Sequence, residues 1–233
     1  MDVNSILNGI RENKFYYSRD ILNRMISFSA NDELEFKKFW DNLVHDNYVE
    51  KFTCRKRRIA KFHAHKTIEL IADNTVQTSK LYNNISGGMT RYYKYAEDHF
   101  LNNRIFQDLL KLNVEIGKKY LGVESLIISC QIFRITPNED GSKTPVTIGL
   151  HKDETHLIGL HFINSLNILG GVSKIFDNDK KYIENSEIVF SEFLESIYID
   201  DTKTFHETTP IFRNNLAHDS FRDVLIFAME FKK

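Results

Sequence analysis

Two cysteines in 233 residues are too few for a disulfide framework. Neither Cys54 nor Cys130 has a partner at CxxC spacing, which also removes the usual thiolate zinc site. Cys130 falls within the apolar stretch Leu126-Ile127-Ile128-Ser129-Cys130-Gln131-Ile132-Phe133 and is expected to pack inside a strand. An excess of charge is missing too: 31 Lys+Arg stand against 32 Asp+Glu, a net charge of -1. That balance argues against nonspecific attraction to nucleic acid or to an anionic membrane, and leaves small neutral or zwitterionic ligands open. No apolar run approaches the roughly 20 residues of a membrane helix. The start Met1-Asp2-Val3-Asn4 lacks a basic-then-apolar signal, so the cytoplasm is the expected address. Repeats and low-complexity segments are absent. Proline occurs three times, and two of the three mark breaks: Pro137 opens the loop Pro137-Asn138-Glu139-Asp140-Gly141-Ser142, and Pro210 ends a strand.

What is present is enough apolar surface for one sizeable core, with 42% hydrophobic and 12% aromatic residues. A single domain over 1–233 is expected, helical through residues 1–50 and mostly β from 51 onward. Asn31-Asp32 can cap a helix from Glu33 to Asn42, whose Phe36, Phe39, Trp40 and Leu43 share one face and belong to the core. Tyr93 to Tyr120 carries apolar residues at near-helical spacing and predicts a long or broken helix closing near Gly122. Strands are expected at Glu124–Thr136, Thr155–Ile163, Gly171–Phe176, Ser196–Thr208 and Arg222–Phe231, with a turn over Asn164–Gly170. The basic run Arg55-Lys56-Arg57-Arg58 continues into a strand-like segment. Alternate members then face opposite ways, and no continuous basic patch forms.

The chemistry concentrates in His151-Lys152-Asp153. On an extended backbone, residues two apart share a face, so His151 and Asp153 can present an imidazole and a carboxylate to one ion while Lys152 turns away. His206, in the polar and β-branched stretch Ile199 to Pro210, is the best third ligand. Arg222 opens the last predicted strand behind them. Two histidines and one carboxylate form the set that non-haem Fe(II) uses when coordination positions must stay open for reactants. The remaining histidines, His45, His63, His65, His99, His156, His161 and His218, are assigned to surface or hydrogen-bonded core positions.

These segments, together with Arg55 to Phe62, Gln131-Ile132-Phe133-Arg134, Leu169 to Ser173, His206 to Ile211 and Arg222 to Leu225, resemble the Fe(II)/2-oxoglutarate-dependent dioxygenases. Within that family the likeness is to bacterial free amino-acid hydroxylases of the isoleucine hydroxylase type. The resemblance implies an α+β chain with a double-stranded β-helix (jelly-roll, cupin-like) core braced by N-terminal and central helices. It implies Fe(II) on His151, Asp153 and His206, 2-oxoglutarate paired through its distal carboxylate with Arg222, and O2 as co-reactant. The implied reaction is hydroxylation of a free amino acid, with release of succinate and carbon dioxide. Retention of Asp153 favours hydroxylation over halogenation, in which the carboxylate is replaced.

Gln131, Arg134 and Arg58 are candidate substrate contacts, each with a strand-edge or surface position as the competing reading. Glu154 stands where the family usually has glycine. Turned inward it would favour a cationic substrate; strand parity turns it to solvent. Three other functions stay open at this point: the same chemistry on another small metabolite or a desaturation, a cupin-like binding protein, and a nucleic-acid module resting on Arg55 to Arg58.

Overall fold

A computed structural model describes residues 2–49, 53–83, 85–147 and 149–231 of the chain. The helices are α1 (Val3–Asn13), α2 (Ile21–Met25), α3 (Ala30–Lys37), α4 (Asp98–Leu101) and α5 (Arg104–Leu121). The strands are β1 (Phe15–Ser18), β2 (Val44–His45), β3 (Cys54–Ala64), β4 (Ile68–Ile71), β5 (Thr75–Val76), β6 (Arg91–Tyr92) and β7 (Leu126–Thr136). They continue with β8 (Leu157–Leu166), β9 (Ile168–Gly170), β10 (Ser173–Asp177), β11 (Ser196–Asp200), β12 (Thr204–Thr208), β13 (Ile211–Arg213) and β14 (Phe221–Glu230).

Eight strands make one antiparallel sheet in the order β1-β11-β8-β14-β7-β3-β2, with β4 on β3. Short pairs, β10 with β12 and β9 with β13, face it and complete the jelly roll. Alternation along the strands assigns each residue to a side. Ile128, Cys130 and Ile132 of β7 and Leu225, Phe227 and Met229 of β14 turn outward to a core shared with α1 and α5. Phe133 and Val224 turn inward, to a second core with Ile175, Ile188 and Phe190. Where β8 meets β14 the register shifts between Asp223 and Val224, which leaves Ile163 as the extra residue between Phe162, opposite Val224, and Asn164, opposite Asp223.

The helices form for local reasons. Ser29 caps α3 and Asp32 returns the bond to the Ser29 N–H, a capping box that starts the helix earlier than the Asn31-Asp32 expectation. A 3-10 turn over Lys38–Asn42 extends it and seats Trp40, whose indole N–H donates to Phe133 O at 2.9 Å. The long central helix is the broken form. Asn103 caps α5 by accepting from the Ile105 and Phe106 N–H groups, and Gly122, at φ 67, ends it.

Three boundaries differ from expectation. The N-terminal part is not wholly helical, because β1 pairs with β11 and β2 with β3. The predicted strand Ser196–Thr208 is two strands separated by a turn, in which Asp200 Oδ1 accepts from Thr202 N–H and Oγ1–H. The turn expected over Asn164–Gly170 shrinks to the neighbourhood of Asn167, at φ 51, because β8 and β9 extend to either side of it. No helix among the described residues is long and apolar enough to cross a membrane.

His161 illustrates how the outer core handles a titratable group. It is fully buried, with Nδ1 2.8 Å from Ser196 Oγ and Nε2 3.0 Å from Asn113 Nδ2. Asn113 Nδ2–H donates, so the imidazole is neutral with its proton on Nδ1. Burial lowers its pKa to about 3. With an unfolded value near 6.5, its contribution is whole above that pH and drains away as pH falls through the window toward about 3, at up to roughly 1.4 kcal/mol per pH unit. His161→Gln should therefore flatten the acid limb of a stability-against-pH curve by about one proton, read by urea unfolding between about pH 6 and pH 4. In the same core, Phe227→Ala removes a ring packed against Phe106 and His161 and should cost about 3–5 kcal/mol in the same assay.

Candidate active site

His151 and His206 are 55 residues apart in sequence and directly opposite in space. His151 N–H donates to His206 O at 3.0 Å and His206 N–H to His151 O at 2.9 Å. Residues exchanging both bonds sit about 5.5 Å apart at Cα with side chains on one face, and the two rings lie with centroids 4.4 Å apart. Asp153, two residues beyond His151, returns to that face. Its Oδ1 is 3.6 Å from His151 Nε2 and its Oδ2 3.8 Å from His206 Nε2. One potential ligand atom from each residue lies within 4.8 Å of the others. His151 belongs to a single bridge and not to a strand, but the bridge preserves the same-face spacing the sequence predicts.

The surroundings prepare these atoms as donors. His151 Nδ1 is 2.8 Å from Gly149 O, so its proton sits there and the Nε2 lone pair faces Asp153. Burial lowers the pKa of both imidazoles, and for His151 the neighbouring His206 lowers it further. Both lowerings favour the neutral imidazole, which keeps one ring proton and one free nitrogen lone pair. Asp201 lies behind: its carboxylate accepts the Asp153 and Thr155 N–H groups at 3.2 and 3.1 Å, and its Oδ1 is 3.6 Å from His206 Nδ1. Burial and then the charge of Asp153 raise its pKa to about 7.

The triad opens into a cavity of about 170 Å³ whose floor is the inner face of the large sheet, with Gln131, Phe133, Val224 and Ile226 among its lining. A larger recess of about 440 Å³ adjoins it and shares Val49, Arg55, Val146, Thr147 and Thr208. Arg222 reaches the cavity from β14. It is 3% exposed, and its Nη2 is buried with no hydrogen-bond partner. Burial lowers its pKa to about 10, which leaves it charged, and it forms no ion pair among the described residues. A buried guanidinium with an unspent N–H fits a carboxylate from a ligand.

Of the proposed substrate contacts, Gln131 lines the cavity. Three others are corrected. Arg134 follows Phe133 on β7 and so faces outward, where it grips both Asp223 oxygens at 2.7 Å and Asp41 at 2.8 Å. Gln131 and Arg134 have opposite parity on one strand and could not both point inward. Arg58 also turns outward, to Asn42 O, Tyr95 O and Glu97. Its neighbour Arg57 takes the inward place, packed against Tyr93 with its guanidinium carbon 3.6 Å from the ring centroid and donating to Gln131 Oε1 at 2.7 Å. Glu154 is exposed, lines none of this cavity and accepts the Ser79 N–H. Sequence reasoning missed Arg57, Arg91 and Asp201. The alternation in Arg55-Lys56-Arg57-Arg58 held the signal for Arg57, once the inward parity of β3 is known.

Two neutral imidazoles and a carboxylate, crowded around one point beside a free guanidinium, suit a mononuclear non-haem Fe(II) oxygenase. Comparison with known proteins agrees. The 2OG-Fe dioxygenase family model matches residues 37–228. L-isoleucine-4-hydroxylase of Bacillus thuringiensis is 28% identical over 198 residues, covering 82% of this chain and 80% of that one. 3(1)-hydroxy-L-isoleucine 4-dioxygenase of Pantoea ananatis is 28% identical over 206 residues, 85% of this chain and 81% of that one. Among solved structures, a bsmA homologue from Methylobium petroleophilum superposes with a TM-score of 0.86 at 20% identity, covering 99% of this chain and 93% of that one. The chain belongs to the 2OG-Fe dioxygenase family. It is accordingly an oxidoreductase whose chemistry draws on Fe(II), 2-oxoglutarate and O2.

Asp201 makes the site's backing testable. Asp201→Asn keeps the shape but offers one acceptor oxygen to two backbone N–H groups, so the turn that carries Asp153 must loosen. Divalent-ion affinity, measured by Co(II) titration, should fall about 10–100-fold, the usual effect of losing a residue that supports metal ligands.

Proposed function

We propose that the protein hydroxylates an unactivated C–H bond of a free L-amino acid or a close derivative, in one domain spanning residues 1–233. The observation that carries the reading is the convergence of His151, Asp153 and His206 on the same cavity as the unpartnered Nη2 of Arg222. His151 and His206 through Nε2, and Asp153 through one oxygen, would hold Fe(II) beside the cavity. The bound iron, with 2-oxoglutarate and O2, supplies the oxidising power: one oxygen atom enters the substrate as hydroxyl and the other leaves in succinate, with carbon dioxide released. Arg222 orients 2-oxoglutarate by pairing with its distal carboxylate, and the apolar floor keeps water from the reacting atoms.

A second cationic end supports an amino-acid substrate. Arg57 on β3 and Arg222 on β14 are separated by β7 and by two residues of register, about 12 Å between Cα atoms at ordinary sheet spacing. Arg57 is buried with Nε unpartnered, and so is Arg91 nearby. Burial lowers the Arg57 pKa to about 10 and leaves it charged. One guanidinium can therefore serve the cosubstrate and the other a substrate carboxylate. Leu160, Val224, Ile226 and Ala228 line the same cavity on the β14 and β8 side and suit an aliphatic chain. The two relatives named for acting on L-isoleucine and on a hydroxy-L-isoleucine support the same class. Membership of one domain rests on β1, near the N-terminus, pairing with β11. Two free thiols, Cys54 exposed and Cys130 buried, suit the reducing cytoplasm.

Iron-dependent succinate release across a panel of amino acids tests the reading, and no amino acid stimulating release above the substrate-free rate would sink it. His151→Ala, Asp153→Ala and His206→Ala should each abolish turnover and weaken Fe(II) binding; full activity in His206→Ala would reject that ligand. Arg222→Lys should leave iron binding nearly intact and raise the 2-oxoglutarate requirement about tenfold, the cost of one charge-assisted bond in a titration of cosubstrate.

A further inference from the structure

Glu154 has a backbone φ of 60, in the left-handed region that side-chain-bearing residues seldom occupy and glycine tolerates freely. A cost is therefore borne immediately after Asp153, and the side chain held there has a partner. Its carboxylate accepts the N–H of Ser79, which belongs to the loop joining β5 and β6. That loop is folded on itself. Gly88 N–H donates to Thr78 O at 2.7 Å, and the buried Arg91 donates to Ser86 Oγ at 3.1 Å and Thr78 Oγ1 at 3.0 Å. Compact loops of this kind, with ends brought together by a strand pair, are packed by their own side chains.

The loop covers the site: Thr78, Asn83 and Arg91 line the same cavity as His151, Asp153 and His206. It touches the opposite wall at a second place, where the Tyr82 ring lies 6.0 Å from that of Phe205. Glu154 follows one candidate ligand, and Phe205 precedes another. The cover thus meets the metal-binding backbone next to both ligand segments, 153 and 206. Small recess walls formed by Thr78, Ser79, Gly88, Met89 and Glu154 mark the seam.

We propose that Glu154 is a positioning residue that fastens the β5–β6 loop over the active site, so that closing the cover and setting the Asp153 turn are one event. The inference rests on the reading of the site as an Fe(II) centre. Its geometry explains why a residue other than glycine is kept at a left-handed position: glycine would relieve the backbone and release the loop.

The experiment is amide hydrogen exchange across residues 77–91, with and without Co(II), on the full chain and on Glu154→Gly and Glu154→Gln. In the unaltered protein Co(II) should slow exchange in the loop, since sites coupled through one conformational event stabilise each other. In Glu154→Gly, Ser79 should exchange about three to tenfold faster and the Co(II)-dependent protection should vanish, the lower end allowing for the exposure of the bond. Glu154→Gln, which keeps an acceptor oxygen, should fall between. Thermal stability of Glu154→Gly should be unchanged or higher, which separates a lost fastening from a damaged fold. With an amino-acid substrate, the glycine variant should raise KM and the yield of succinate per hydroxylated product while kcat is largely kept. Unchanged Ser79 exchange in Glu154→Gly, or faster exchange with intact Co(II) protection and unchanged kinetics, would overturn the proposal. A chain that binds no Co(II) at all would instead reject the metal reading, while Ser79 exchange still reports on the fastening.

Discussion

The pair of backbone hydrogen bonds between His151 and His206 is the contact on which the site depends. It joins the segment that leads into β8, which also bridges Ile211 through Thr144, to β12, itself held by β10. Because both bonds run between the ligand residues themselves, the imidazoles inherit their separation from the peptide geometry and not from side-chain packing. Asp153 follows from the same contact, two residues along an extended chain. Asp201 then fixes the chain where it turns away, through the Asp153 and Thr155 N–H groups. Four residues from two segments are thus placed largely by main-chain bonds, the least adjustable interactions in the molecule.

Charge is distributed unevenly around this centre. The whole chain is close to neutral, yet the cavity gathers Arg55, Arg57, Arg91 and Arg222, while the carboxylates of Asp46 and Asp223 serve the walls. Arg55 and, at 3.7 Å, Arg57 pair with Asp46, Arg134 pairs with Asp223 on the outer face, and Arg222 has no ion pair among the described residues. Burial of an unneutralised guanidinium is costly. It is understandable in a small chamber when the family's cosubstrate, 2-oxoglutarate, is a dianion. The net charge of the chain conceals this local excess, and composition alone argues only against broad electrostatic binding.

The convergence of His151, Asp153 and His206 was legible in sequence because its geometry is local or compositional: an i, i+2 pair, and a histidine in a β-branched run. The jelly roll followed from resemblance and from strands near the predicted positions. Element boundaries failed where a side chain intervened, as at Ser29, whose box with Asp32 starts a helix, and at Asp200, whose oxygen folds a turn into an apparently continuous strand. The substrate side was less legible. Arg57 and Arg58 are chemically the same, and only knowing which parity of β3 faces the cavity distinguishes them. Glu154 could be recognised as unusual for its position, but its partner lies 75 residues away in a loop with no motif of its own.

The candidate metal triad and the unpartnered Arg222 belong to different layers of the roll: His206 comes from the short β10–β12 pair, Arg222 from the eight-stranded sheet. The distance between them is therefore a gauge set by what fills the gap, chiefly Ile175, Ile188, Phe190 and Val224. Packed interiors deform in steps and not continuously. These apolar side chains set the spacing between the triad and the guanidinium. Thinning or thickening that layer would change the gap between triad and guanidinium, so that side chains whose own chemistry is that of hydrocarbon fix the geometry of the polar site.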